Sequence, residues 1–325
     1  MFPGNYQAQG TIFPNPNSDP MMDAQMIDGA LQGFGCDKDV LINILTQRCN
    51  AQRIIIAEAY GSLNGRNLLD DLREKLDGHF KDVMVGLMYS FPAYDAHELY
   101  HAMKGVGTEE NCLIDILASR TSTDIFQLKQ VYLMQYGNNL EESISSETSG
   151  HFRDALINLV QGVRVEGYPD PGVAAQDAMV LWDACQRRTD EHKNMMQLIL
   201  CNKSYQQLWM VFQEFLNISG QDIAVAIEQC YDGYFKQLLL AIVSCIRDKP
   251  SYFAHRLHSA IHDFGFHNKT VIRTIIARSE IDLISIRQRY KERYGHSLFH
   301  DLKHFASGHY EKALLAICTT EGQDY

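Results

Sequence analysis

Four copies of one pattern, spaced about 75 residues apart, govern what this chain can fold into. The landmarks Gly78-His79-Phe80, Gly150-His151-Phe152, Gly233-Tyr234-Phe235 and Gly308-His309-Tyr310 lie 72, 83 and 75 residues apart. The cations Arg48, Arg120, Lys203 and Arg278 give 72, 83 and 75 again. Two unrelated markers in one register identify internal repeats, and a unit longer than the usual solenoid repeat predicts several helices in each.

A third feature separates the copies. Repeat 2 reads Met103-Lys104-Gly105-Val106-Gly107-Thr108, and forty residues after Gly107 stands Glu147. The same count leads from Gly35 to Lys75, from Asp190 to Cys230 and from Gly265 to Phe305. The first glycine of the loop reads Gly33, Gly105, Arg188 and Asp263, so only repeats 1 and 2 keep both glycines and only repeat 2 keeps an acid. Gly-x-Gly lets a short loop turn its carbonyl oxygens toward one point, because glycine tolerates backbone angles that other residues resist. Calcium takes roughly six to eight oxygens from carbonyls, carboxylates and water. Loop carbonyls and one distant carboxylate leave its shell open, and an anionic oxygen such as a lipid phosphate can complete it.

Asp95-Ala96-His97-Glu98-Leu99, Ala118-Ser119-Arg120-Thr121, Glu147-Thr148-Ser149-Gly150, Ser279-Glu280-Ile281-Asp282-Leu283 and Lys312-Ala313-Leu314-Leu315 resemble the annexins, from about Met21 to Cys318. The resemblance implies an all-α fold, four repeats of five helices each forming a slightly curved disc, with calcium and phospholipid on its convex face. It implies a main calcium site from the carbonyls of Met103, Gly105 and Gly107 and the carboxylate of Glu147. It also implies a polar channel lined by Asp95 and Glu98 near Arg120, where we expect structural ion pairs. Boundaries expected on this basis are an irregular head over 1–20, repeats over 21–90, 93–162, 174–247 and 250–320, and a linker over 163–173. The departures weaken the pattern: Cys36 and Lys75 in repeat 1, Arg188-Thr189-Asp190 and Cys230 in repeat 3, Asp263-Phe264-Gly265-Phe266 and Phe305 in repeat 4. At most one ordinary, weak calcium site is expected.

Composition supports a folded globule. At 325 residues the chain can bury roughly three quarters of its unfolded surface. No run of about 20 apolar residues is present to span a membrane, and Met1-Phe2-Pro3-Gly4-Asn5 lacks the basic and apolar regions of a secretory signal. Eight cysteines without paired spacing predict reduced thiols in the cytosol. A net charge of -11 opposes nucleic acid and anionic membranes, so lipid binding needs calcium as a bridge or a local basic patch. Within repeat 2, Thr108 is expected to cap a helix whose apolar face carries Cys112, Leu113, Ile116 and Leu117, and Gly137 to end the next helix near Tyr136.

Other constellations carry less. His97-Glu98-Leu99-Tyr100-His101 matches His-Glu-x-x-His, but repeat 1 has Gln25, Met26 and Gly29 at those places and no third ligand is assignable. His296, His300 and His304 recur every four residues and read as a solvated helix face, the alternative being that two adjacent members chelate zinc or copper. The C-terminal histidines His255, His258, His262 and His267 titrate near pH 6 if unperturbed, which predicts stronger binding to acidic lipid at low pH. The run Arg287, Arg289, Lys291, Arg293 reads as a solvated face or as a surface for an acidic protein or head group. Lys75, where the acid is missing, reads as a surface lysine or a direct contact to lipid phosphate. Phe264, Phe266 and Phe305 are expected to pack together and close a dead site, the alternative being an exposed apolar patch for a partner or the membrane.

The chain therefore reads as a non-enzymatic, calcium-dependent phospholipid-binding protein of much reduced calcium sensitivity. It is expected to be a monomer in the cytoplasm that associates peripherally with acidic membranes. The alternative is a calcium-independent protein-binding scaffold of the cytosol or nucleus.

Overall fold

The structure, a computed structural model, describes residues 9–319; residues 1–8 of the expected head lie outside the described part. Nineteen helices form among the described residues, with one isolated bridge, Val165 to Lys203, as the only extended pairing. The first repeat contributes α1 (Pro20–Gln32), α2 (Lys38–Leu45), α3 (Asn50–Asn64), α4 (Leu68–Lys75) and α5 (Gly78–Met88). The second contributes α6 (Phe91–Met103), α7 (Glu110–Leu117), α8 (Ser122–Tyr136), α9 (Leu140–Glu147) and α10 (Gly150–Gln161). The third has α11 (Pro171–Arg187), α12 (Asp190–Asn202), α13 (Tyr205–Ser219) and α14 (Ile223–Cys230). Then α15 (Gly233–His262) runs on past a kink at Asp248, next to Pro250, and supplies the first helix of the fourth repeat. The fourth ends with α16 (Asn268–Arg278), α17 (Leu283–Tyr294), α18 (Leu298–Phe305) and α19 (Gly308–Cys318).

Local chemistry sets these boundaries. Thr121 and Asp124 form a reciprocal capping box at the start of α8, satisfying two otherwise orphan backbone donors. Ile125, Leu128 and Tyr132 then share its buried face, and Gly137, at φ 70°, ends it. The start of α7 differs from expectation. Its N-cap is Glu109 without a side-chain cap bond, because the Thr108 hydroxyl points to Glu147 instead.

The landmark glycines have one common task. Gly78, Gly150, Gly233 and Gly308 open the fifth helix of their repeats at φ 63°, 65°, 65° and 67°. A Cβ there would meet no neighbour within 4 Å, so the requirement is the backbone angle, not space. The following residues pack repeats in pairs. The chain divides into two compact units, one of residues up to Tyr94 with those from Phe253, the other Asp95–Tyr252. In the first, His79 meets Tyr310 at 5.3 Å and Phe80 meets His309 at 6.2 Å between ring centroids. In the second, His151 meets Phe235 and Phe152 meets Tyr234, both at 5.7 Å. The reciprocity is that of a local two-fold arrangement, repeat 1 with repeat 4 and repeat 2 with repeat 3.

The cation landmark anchors the first helix of repeats 1 and 2. Arg48 forks onto Asp23 at 2.8 and 3.1 Å, and Arg120 onto Asp95 at 2.8 and 2.9 Å. In repeat 4 Arg278 forks onto Asp282 and lies 4.6 Å from the Phe253 ring, which replaces the acid. The described part of the head is irregular in structure yet fixed in place. Thr11 and Ile12 are buried and donate their backbone N–H groups to the Ser279 carbonyl at 2.7 and 3.1 Å. Gly10 is required by closeness, since a Cβ would lie 2.4 Å from that oxygen.

Candidate metal centre

Met103, at the end of α6, is buried, and Lys104, Gly105, Val106 and Gly107 form an exposed loop. Gly105 and Gly107 stand at φ 92° and 85°. Glu109 donates its N–H to the Ala102 carbonyl at 2.9 Å and closes the loop. Among the described residues no backbone N–H donates to the carbonyls of Met103, Gly105 or Gly107. Glu147, exposed at the end of α9, is brought to the loop from forty residues away. The Thr108 hydroxyl lies 3.4 Å from its carbonyl oxygen and 3.5 Å from Oε2, long contacts that fix proximity more than they bind. Unused carbonyls and one carboxylate are hard oxygen donors, and such a set suits calcium rather than zinc. Among the described residues no group of three or more His, Cys, Asp or Glu side chains could hold a metal ion. The rings of His97 and His101 lie 4.3 Å apart, with no third such side chain joining them.

The other repeats part from this arrangement in different ways. In repeat 1 the loop survives: Asp37 donates to Ala30 at 3.0 Å, as Glu109 does to Ala102. Cys36 donates to the Lys75 carbonyl at 3.6 Å, as Thr108 does to that of Glu147. What differs is the side chain of Lys75 and the backbone of Gly33, which is extended at φ -66°, ψ 164°. In repeat 3 only Arg188 and Thr189 separate α11 from α12. Arg188 sits at φ 57°, the one non-glycine residue with positive φ among those described, and Thr189 caps α12 through the His192 N–H. Asp190 is spent on His151 at 2.9 Å, which holds its carboxyl below the usual range. Repeat 4 closes its loop through His267 and Ala260 at 2.7 Å. Of its three phenylalanines only Phe266 and Phe305 stack, with centroids 6.4 Å apart. Phe264 stands clear of them, so the expected three-ring cluster is not formed.

One register position is apolar and exposed in three of the repeats. Phe34, Val106 and Phe264 occupy equivalent loop tips and are fully exposed, at 112%, 109% and 105%. Their signal in the sequence is an apolar residue beside glycine at matched spacing. The C-terminal histidines also differ from expectation. Burial pushes His255 and His258 below the ordinary range, so they charge at lower pH than the sequence predicts. Arg287 is half-buried, donating to the Cys318 carbonyl at 2.7 Å, while Lys291 and Arg293 are exposed, so the basic run of α17 is not one uniform face.

The Annexin family model matches four segments of this chain, 22–87, 94–159, 176–242 and 252–317. The chain belongs to the annexin family. Human annexin A10 is 73% identical over 325 residues, covering 100% of both chains, and mouse annexin A10 is 71% identical over the same span. Among solved structures it is similar to annexin III, with a TM-score of 0.93 at 43% identity over 95% of this chain and 97% of that one. A calcium-bound annexin (Sm)1 gives a TM-score of 0.84 at 28% identity over 98% of this chain and 94% of that one. Annexins are generally non-enzymatic proteins that bind acidic phospholipid membranes peripherally through calcium, and no described helix here is long and apolar enough to cross a membrane.

Proposed function

We propose that this annexin binds acidic phospholipid through a single calcium ion held by repeat 2, with much lower calcium sensitivity than four sites would give. The carbonyls of Met103, Gly105 and Gly107 and the carboxylate of Glu147 hold the ion, and a lipid phosphate oxygen fills its open positions. The observation that carries this reading is that, among the described residues, only in repeat 2 does a loop with two left-handed glycines meet an acid. Val106, fully exposed between those glycines, is placed to enter the lipid head-group layer. With one carboxylate the affinity without lipid is on the order of 10⁻⁴–10⁻³ M. Linked sites can gain about 10²–10⁴-fold in avidity, and this chain forgoes that gain. The protein works as a monomer in the cytoplasm, moving to a membrane only when local calcium is high.

Cosedimentation with phosphatidylserine vesicles from micromolar to millimolar calcium tests this, with Glu147→Gln alongside. Binding that rises with calcium and disappears in the variant is expected. Equal binding of both proteins in chelator and in calcium would overturn it.

A second reading has its own support. Phe34 and Phe264 are exposed on loops that lack the acid, and Lys291 and Arg293 are exposed on α17. These suit a calcium-independent scaffold for a protein partner in the cytosol or nucleus. Calcium-free capture that depends on those four side chains would favour it.

A further inference from the structure

The segment joining repeats 2 and 3 builds one wall of a cavity. Val165 donates its N–H to the Asn202 carbonyl at 2.8 Å. Arg164 Nη1 donates to the carbonyls of Leu200 and Lys203 at 2.7 and 2.8 Å. In repeat 1 the equivalent carbonyls, Leu45 and Arg48, receive Nη1 of Arg53 at 3.4 and 2.5 Å. The two arginines then diverge. Arg53 is sealed in the core with Glu280 3.8 Å away. Arg164 is half-buried, and its electrostatic neighbours are Tyr205, Cys201 and Cys245, none of them a carboxylate. A guanidinium stays charged at neutral pH, so Arg164 places on the cavity wall a positive charge that no ion pair among the described residues neutralises.

The cavity, of about 270 Å³, is lined by a single acid, the exposed Glu166. The Tyr205 ring also lines it, with the Arg164 guanidinium 5.1 Å and the Lys249 ammonium 5.4 Å from its centroid. Hydroxyls of Thr121, Ser122, Thr123 and Ser204 complete the polar lining. They belong to the starts of α8 and α13, where partial positive charge adds to the same field. Arg120 also lines the space, but its fork is committed to Asp95. Leu117 and Ala118 put the cavity at the C-terminal end of α7, about 12 Å along that helix from the repeat 2 loop. A ligand here reaches the protein at the opposite end of α7 from the calcium loop.

We propose that this cavity binds a small soluble phosphorylated anion, its phosphate held by Arg164 and Lys249 and its oxygens accepting from the hydroxyls of Thr121 to Thr123 and Ser204. The site owes nothing to calcium and stands or falls separately from the proposed lipid function. Titration calorimetry of the full chain in chelator, with pyrophosphate as the probe, tests it. Expected is saturable binding that weakens with salt, drops about tenfold in Arg164→Gln and in Lys249→Gln, and tightens in Glu166→Gln. Arg164 also ties the joining segment, so Lys249→Gln and Glu166→Gln keep the test decisive if Arg164→Gln unfolds. Wild-type affinity in both of those variants, or no saturable heat, overturns the site. Capture on phosphoinositide vesicles in chelator, competed by pyrophosphate and lost in Lys249→Gln, overturns the soluble assignment in favour of a lipid head group.

Discussion

Repeats 1 and 3 have both lost their acid, but they lost it at different levels of structure. Repeat 1 keeps the loop, its closing Asp37–Ala30 hydrogen bond and the contact from Cys36 to the end of α4. It has changed one side chain there, Lys75, and turned Gly33 extended. Repeat 3 has absorbed the loop into its helices, leaving Arg188 and Thr189 between α11 and α12. A lost ligand beside a loop that keeps both glycines and its closing hydrogen bond leaves the site open to recovery by substitution. A loop whose carbonyls have joined helical hydrogen bonding does not, whatever stands at Cys230.

The largest effect that sharpens this contrast is expected from Lys75→Glu. It replaces a cation by a carboxylate beside a loop that retains both glycines, and calcium affinity tracks the charge and number of its ligands. Half-maximal calcium for vesicle binding should fall by about 10–100-fold, a small part of the span over which ligand charge and rigidity tune calcium sites. Cys230→Glu in repeat 3 should leave that concentration unchanged in the same assay. Equal gains from both variants would show that the loop backbone does not decide the matter. If Lys75→Glu also lowers binding in chelator, Lys75 itself touches lipid phosphate in the native protein.

A second contrast runs through the buried tyrosines of the third helices. Tyr60, Tyr132, Phe215 and Tyr290 occupy one register position, facing Asp71, Ser143, Ala226 and Asp301 at another. Tyr60 donates to Asp71, Tyr132 to Ser143 at 3.0 Å, and Tyr290 to Asp301. Repeat 3 has removed both partners together and pays no penalty for a stranded polar group. Asp301 is the most heavily used. Burial raises its pKa, but hydrogen bonds from Tyr290, His262 and His300 outweigh that and hold it below the usual range. Asp301→Asn should cost about 1.5–3 kcal/mol, Phe215→Tyr about 1–3 through an unpartnered hydroxyl, and Tyr132→Phe about 0.5–1.5. Urea unfolding of the three variants measures the order, and Phe215→Tyr as mild as Tyr132→Phe would break it.

The all-α fold and its four-fold repetition were readable because glycine and the cations mark backbone and ion-pair requirements that few residue types satisfy. The identity of the loop position and of Glu147 could be counted along the chain, and so could the missing acids. What could not be counted was conformation. That Gly33 is extended while Gly105 is left-handed, or that α11 and α12 swallow the repeat 3 loop, depends on which hydrogen bonds win locally. Arg164 was hidden for a different reason. It belongs to the joining segment between repeats, so register offered no comparison, and only the fold shows that it reuses the carbonyls that serve Arg53.

The smallest effect expected comes from the last contrast, between repeats 2 and 4. Tyr100 stacks on Tyr136 with centroids 3.9 Å apart, and at the equivalent places His258 stacks on Tyr294 at 3.6 Å. Repeat 4 has thus made the stack titratable. Burial lowers the His258 pKa, and so does the neighbouring charge of His262, while Asp301 and Asp263 pull the other way and lose. His255, lowered first by burial and then by Arg293 and Arg256, shifts in the same direction. A histidine whose folded pKa lies below its unfolded value of about 6.5 binds fewer protons folded than unfolded as the pH drops. Stability is therefore full above that value and is lost as pH falls from there through the lowered folded pKa. Melting temperatures at pH 7.5 and 5.5 should fall further in the native protein than in His258→Tyr, which restores the repeat 2 stack. If the two proteins lose the same number of degrees, the acid sensitivity resides elsewhere and the stack is structurally neutral to the exchange.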